Sequence, residues 1–392
     1  MHGLRALPLL AAAGFASMVS MRLCDAMLPA LAEAFGTDPA HAARVIAAFA
    51  LAYGLLQLGY GPLGDRFGKP RVICIATFAC SIATLAAALS PTLGVLTTSR
   101  AAMGAAAAGI IPLTMAWIGD QVSYEHRQAV LARLLGSTVL GMMGGAWAGG
   151  AMTQAFGWRA AFFLVAALFF VLGLALALRH LRERRPSHSS VSHDFFRQAA
   201  TVLGSPWARQ LLTVAFVEGA LVFGALAFVP STLHERFHLP LAEAGALVAL
   251  FGVGGLLYSR VAGRLLRRLG APTLAATGAA CLAIAFLMLA AMRHWSLALP
   301  ACFLAGLGFY MLHNTLQTCA TQLSASARGT GVSMFVCVLF IGQSSGVSAA
   351  AWVIGRYSSV AWFAMAAPAL LALGAYFTLR LRAQLSMSKA VA

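Results

Sequence analysis

Gly61-Pro62-Leu63-Gly64-Asp65-Arg66-Phe67-Gly68-Lys69-Pro70-Arg71 is a basic, glycine-punctuated stretch between two long apolar runs. A second copy, Gly263-Arg264-Leu265-Leu266-Arg267-Arg268-Leu269-Gly270, shares its Gly, Leu, Arg and Gly in register, 202 residues further on. A match at about half the chain length reads as a duplication, in which two half-length units carry the same turn at the same place. Glycines at both ends of the hairpin are expected to let two helices turn sharply, while the Arg and Lys side chains hold the turn at the cytoplasmic face of a membrane. A plain basic turn does not call for Asp65. A carboxylate there suits a helix N-terminus at the interface between the two halves, and the second copy has Arg267 in its place.

The rest of the chain fits a membrane setting. Of 392 residues, 60% are apolar and 10% charged, and the mean hydropathy is +0.83. Soluble domains run near 45–50% apolar and about 25% charged, so an ordinary globular enzyme is excluded, and so is disorder. Alternating strands of about 10 residues are not visible, which excludes a transmembrane barrel. Crossings of about 20 residues are expected at 7–32, 42–61, 72–90, 93–117, 129–152, 159–178, 211–233, 242–265, 273–291, 297–323, 331–354 and 360–379. The expected fold is therefore an all-α membrane protein of twelve transmembrane helices in two pseudo-symmetric six-helix bundles. Residues 1–178 form the first bundle, 179–210 a basic cytoplasmic linker and 211–392 the second.

Orientation follows from the 27 Lys and Arg residues. With a cytoplasmic N-terminus, only Arg44, Arg159, Arg236, Arg293 and Arg356 fall outside, Arg22 and Arg100 lie within the membrane, and the rest are cytoplasmic. This positive-inside bias puts both termini in the cytoplasm. It also accounts for the net charge of +16 through contact with anionic headgroups, without nucleic acid. Leu4–Ser17 has some features of a signal peptide, but removing it would put the halves out of step, so it is read as helix 1. Cys24, Cys74, Cys80, Cys281, Cys302, Cys319 and Cys337 all fall within helices without a C-x-x-C, and read as small packing residues. His188 and His193 in the linker have no ligand partners at metal spacing, and no cofactor is expected.

Charges inside a bilayer cost about 2.5–3.5 kcal/mol each on insertion scales and normally face a cavity. Arg22, Asp25, Arg100 and Glu218 are such charges. At 1.5 Å per residue, Asp25 lies about 15 Å and Arg100 about 13 Å from the outer surface, deep enough alike to pair, and Glu218 lies about 15 Å from the cytoplasmic end of helix 7. Arg22 and Asp25, three residues apart, share a helix face. Asp25 and Glu218 are the candidate proton carriers. Glu218 is the stronger, because its helix offers no basic partner, whereas Asp25 also suits a static ion pair. Arg22 and Arg100 suit a substrate carboxylate or phosphate. Tyr53, Gln57, His313, Asn314, Gln317 and Gln343 are candidates for the substrate cavity, each also explicable as interhelical glue. Trp117, Met143, Trp147, Phe216, Phe223 and Tyr310 offer an adaptable apolar lining.

Twelve helices, a mid-chain linker and the G-x-L-x-D-R-x-G-K turn after helix 2 resemble the major facilitator superfamily over essentially the whole chain. The resemblance implies a gating role for Gly61, Asp65, Arg66 and Gly68. Arg100-Ala101-Ala102-Met103-Gly104 with Pro112 beyond is similar to the intramembrane Arg motif of proton-coupled members. Gly136, Gly141, Gly144, Gly145, Gly149 and Gly150 resemble the helix-5 signature of proton antiporters, with Ala146 in place of its proline. Gly145 and Gly149 are then gate positions, although small residues at such spacing also serve packing alone. The expected function is secondary transport in a bacterial inner membrane: proton-coupled efflux of a small organic substrate by a monomer, with uptake of an organic anion by symport as the alternative. No Walker motif, H-E-x-x-H or G-x-S-x-G occurs, so neither an ATP-driven pump nor a membrane enzyme is expected.

Overall fold

The computed structural model describes residues 6–180, 195–323 and 328–391; Arg5, Arg182, Arg184, Arg185, His188 and His193 lie outside them. The described residues form sixteen α-helices and no strand. These are α1 (Leu7–Arg22), α2 (Leu28–Ala34), α3 (Pro39–Ala42), α4 (Arg44–Phe67), α5 (Lys69–Ala88), α6 (Leu93–Ala107), α7 (Ile110–Gln121), α8 (Tyr124–Phe156), α9 (Trp158–His180), α10 (Phe195–Gly204), α11 (Pro206–Leu226), α12 (Val229–Phe237), α13 (Leu241–Ala290), α14 (Ala298–Ala320), α15 (Arg328–Arg356) and α16 (Ser359–Val391). Among the described residues, ten spans are long and apolar enough to cross a membrane. One of them, α13, turns at Gly270 (φ 73°) and holds two crossings, and the shorter apolar α1 with α2 supplies the last. Twelve crossings result.

The chain divides into two compact units, Met1–Asp194 with His238–Ala246, and Phe195–Phe237 with Leu247–Ala392. Part of the expected linker is helical: α10 occupies 195–204, and Ser205 caps α11, its Oγ accepting from the Ala208 N–H. Within the second unit, Thr330 Oγ1 donates to Gln198 Oε1 at 2.7 Å and ties α10 to α15.

Helices 1, 4 and 7 are each expected to be continuous, and each is broken instead. The interruptions fall at Leu23–Met27, Ala108–Gly109 and Ala227–Phe228. Each comes just before a proline: Pro29, Pro112 and Pro230. Proline has no N–H for the carbonyl four residues back, and its ring collides with that carbonyl, so the helices part at Asp25, Ala108 and Leu226. Tighter bonds span the first break, with the Asp25 N–H donating to Arg22 O at 3.2 Å and Met27 to Cys24 O at 3.1 Å. At the second, the Tyr60 hydroxyl of α4 donates to the carbonyls of Ala105 (3.0 Å) and Ala106 (3.2 Å), and its ring lies against Gly109, where a Cβ would overlap it. Tyr60→Phe is expected to lower stability by about 1 kcal/mol, the net worth of one such bond. A detergent-solubilised variant that unfolds at the parent's temperature would show that Tyr60 does not support this break.

The turn glycines need one correction. Gly61 and Gly64 lie inside α4, which runs to Phe67, so the hairpin does not pivot at both ends. The turn is made by Gly68 alone (φ 89°), and by its counterpart Gly270 (φ 73°), in a region that disfavours any residue with a Cβ.

The duplication shows in the helix crossings. In the first unit, Cβ atoms on Gly141 and Gly145 of α8 would overlap the Phe15 and Val19 carbonyls of α1; in the second, Gly342 and Gly346 of α15 meet Phe216 and Ala220 of α11 in the same way. Gly104 of α6 sits on the Phe49 carbonyl, and Gly306 of α14 on that of Phe251. Both units are thus held by glycine-on-backbone contacts that bring helix axes close, at positions offset by 201 or 202 residues.

Candidate functional site

In the first unit the break in helix 1 gathers charge. Arg22 Nη1 lies 3.2 Å from Asp25 Oδ2, and both side chains are buried. Arg100, on α6, is wholly buried. Its Nη1 donates to the Ser20 carbonyl at 2.9 Å and its Nε to the Val45 carbonyl at 3.2 Å, and the guanidinium lies 4.3 Å from the centre of the Phe49 ring. The direct Asp25–Arg100 pair that their similar depth allows is not formed. Ser20 is in the last turn of α1, whose carbonyls have no helical donor once the helix stops, and Arg100 caps that negative end. Asp25 takes the nearer Arg22 on its own helix face. Tyr53 and Gln57 are buried one and two turns beyond Phe49, with the Tyr53 ring stacked on Phe49 at 6.0 Å.

In the second unit, two residues assigned different roles from the sequence come together. Glu218 of α11 is wholly buried, and its Oε2 lies 3.0 Å from Nδ1 of His313 on α14, within reach of one shared proton. The imidazole stacks on Phe309 (centroids 4.7 Å apart) and lies 5.3 Å from Phe335 of α15. Phe223 meets Phe309 edge-on at 5.1 Å. An acid with no basic partner in its own helix thus has one from across the unit, inside an aromatic wall that keeps the local dielectric low. Gln343 is buried on α15, where its backbone faces Gly219, the neighbour of Glu218. Asn314 is exposed and Gln317 partly so, on the same helix as His313.

At the motif turn, Lys69 Nζ lies 2.6 Å from Asp120 Oδ2 and 3.3 Å from Asp65 Oδ1. Asp65 is thus half of a two-carboxylate clamp on one lysine. Asp120, the penultimate residue of α7, has no local pattern that marks it; a second acid at the end of helix 4, on the side of the motif turn, is the only signal. Arg66 is exposed and lies 5.1 Å from the Phe67 ring centre. A Cβ on Gly64 would overlap Leu113 of α7, whereas Gly61 has open space around it. Gly145 and Gly149 lie on the carbonyls of Val19 and Leu23, so their visible role is to seat α8 against α1 beside the break that holds Asp25. No three His, Cys, Asp or Glu side chains gather among the described residues as a metal site would need.

A family profile described as Major Facilitator Superfamily matches residues 10–347. An uncharacterised transporter of that type from Bacillus subtilis, YceJ, is 23% identical over 344 residues, covering 84% of each chain. The efflux pump dotC of Dothistroma septosporum is 33% identical over 164 residues, 40% of this chain and 27% of its own length. Among solved structures, an auto-inhibited peptide transporter of the POT family superposes with a TM-score of 0.77 at 16% identity, over 96% of this chain and 97% of that one. The profile, the relative matched over 84% of each chain and the shared fold agree with the duplicated crossings and the motif turn: this chain is a transporter of the major facilitator superfamily.

Proposed function

We propose that the protein exports small organic molecules across a bacterial inner membrane in exchange for protons, as a monomer with both termini in the cytoplasm. The observation that carries this reading is the Glu218–His313 pair. A buried carboxylate and a partly buried imidazole on different helices, sharing one proton, form a group that takes up and gives off a proton when either helix moves. The efflux name of a relative that matches 40% of this chain supports the direction. Asp25 is the second proton candidate. Arg22, Arg100, Tyr53, Gln57, His313, Asn314, Gln317 and Gln343 are the substrate-side candidates. Arg100 is committed to two backbone carbonyls, which weakens the alternative of organic-anion uptake built on a pair of free arginines. Gly61, Asp65, Arg66 and Gly68, with Gly145 and Gly149, are the gate by which the two six-helix bundles, 1–178 and 211–392 about the 179–210 linker, alternate access.

The test uses energised inverted membrane vesicles with a dye that reports the proton gradient. Lipophilic cations, sugars and organic acids are added in turn. Partial collapse of the gradient by one class, absent in vesicles without the protein, is the expected result. Silence with every class, together with proton-dependent accumulation in right-side-out vesicles, would reverse the direction to uptake.

A further inference from the structure

Both copies of the motif turn expose arginines, Arg66 and Arg71 in the first, but among the described residues only the first has a basic side chain clamped by carboxylates. In the first, Lys69 is held by Asp65 and Asp120. In the second, Arg260, Arg264, Arg267 and Arg268 are all exposed, and no hydrogen bond or ion pair ties any of them to a described residue. They are not scattered. Val253, Leu257, Arg260, Arg264 and Arg267 fall at helical intervals of three and four along one face of α13. Val253 (37%) and Leu257 (42%) are exposed apolar residues on that face. The stripe therefore changes from apolar to basic within a few residues as it nears the Gly270 turn.

The basic end also has room for a ligand. Gly263 lies among Arg260, Arg264 and Arg267 and adds no side chain between them, and Arg267 folds back so that Nη1 lies 3.6 Å from where a Gly263 Cβ would be. A bare backbone patch ringed by guanidiniums suits a phosphate, because the planar fork of arginine matches phosphate oxygens. The apolar residues one and two turns away suit hydrocarbon in contact with the same molecule. From Val253 to Arg267 is about 21 Å along a helix, on the scale of one leaflet.

We infer that this stripe of α13 is a binding site for an anionic phospholipid, with its headgroup phosphate over Gly263 between Arg260, Arg264 and Arg267 and an acyl chain along Leu257 and Val253. The site is separate from the proton pair and does not depend on the direction of transport. A free phosphate would use the arginines but not the apolar half of the stripe, and an acidic protein segment would need neither Val253 nor Leu257.

The experiment weighs the intact, detergent-purified protein by native mass spectrometry after loading with phosphatidylglycerol or phosphatidylethanolamine of identical acyl chains. Retention of phosphatidylglycerol above phosphatidylethanolamine is expected, undiminished by excess glycerol phosphate. Arg260→Gln with Arg264→Gln and Arg267→Gln is expected to weaken that retention by about 100-fold. A variant losing equal charge elsewhere, at Arg71, Arg133 and Arg382, is expected to keep it. Equal retention of the two lipids, displacement by glycerol phosphate, or the same loss in both triple variants would overturn the proposal. The first two readouts need no variant, so a triple variant that fails to fold leaves the question answerable.

Discussion

Glu218→Gln is expected to reduce proton-driven transport by about 100-fold or more, the range for removing a positioned proton donor or acceptor. Glutamine preserves the length of the side chain and still hydrogen-bonds to His313 Nδ1, so the pairing of α11 with α14 survives. What it lacks is a proton to give up. Exchange of labelled substrate against unlabelled substrate across the membrane, which needs no net proton movement, is therefore expected to continue at a rate near that of the parent. The two assays together separate a lost proton from a damaged fold. Full proton-linked transport by Glu218→Gln would remove Glu218 as the carrier and leave Asp25. His313→Gln is the companion: it keeps the acid but removes the shared proton, and it should change the pH profile of transport rather than only its maximum.

The second large effect is on architecture. Arg100→Lys keeps the charge, but a single ammonium cannot reach the Ser20 and Val45 carbonyls and cover the Phe49 ring together. With hydrogen bonds from charged donors worth about 1.5–3 kcal/mol each when buried, the loss is about 3 kcal/mol. For a unit of this size that corresponds to a fall in thermal midpoint on the order of 10 °C. The variant purified in detergent and heated beside the parent gives the answer. An unchanged midpoint would mean that the carbonyls at the end of α1 find another donor, and that Arg100 is free for substrate after all.

Much of this was legible in the sequence, and what was not has a physical reason. Apolar run lengths carry the twelve crossings, because the bilayer thickness sets one number that every crossing must meet. The duplication could be read because the same turn recurs at the same distance. Pro29, Pro112 and Pro230 mark the breaks in helices 1, 4 and 7, but hydropathy averaged over a window registers a proline as one weak position and reads each crossing as continuous. The three-residue spacing of Arg22 and Asp25 gives the pair that forms, whereas depth counting, which sets Asp25 and Arg100 at one level, carries no azimuth and no account of carbonyls set free by the break, and so leaves Arg100 without its partners. Glu218 and His313 are 95 residues apart in sequence, and only tertiary packing says that their faces meet. Asp120 had no local signature for the same reason: its partner lies on another helix.

The matched crossings have a consequence for how such a chain can change. Counting from Phe15 and Phe216 along α1 and α11, the place of Glu218 in the second unit is taken by Ser17 in the first, and that of Arg22 is taken by Phe223. Glycine on one helix and a main-chain carbonyl on the other make the frame, and neither depends on what the neighbouring side chains are. Two halves descended from one ancestor are therefore free to specialise separately, one taking on arginines and the other an acid with its imidazole, while the joinery stays common to both. Altered specificity in this transporter should then arise from substitutions in one half at a time, with the equivalent position in the other half left as it was.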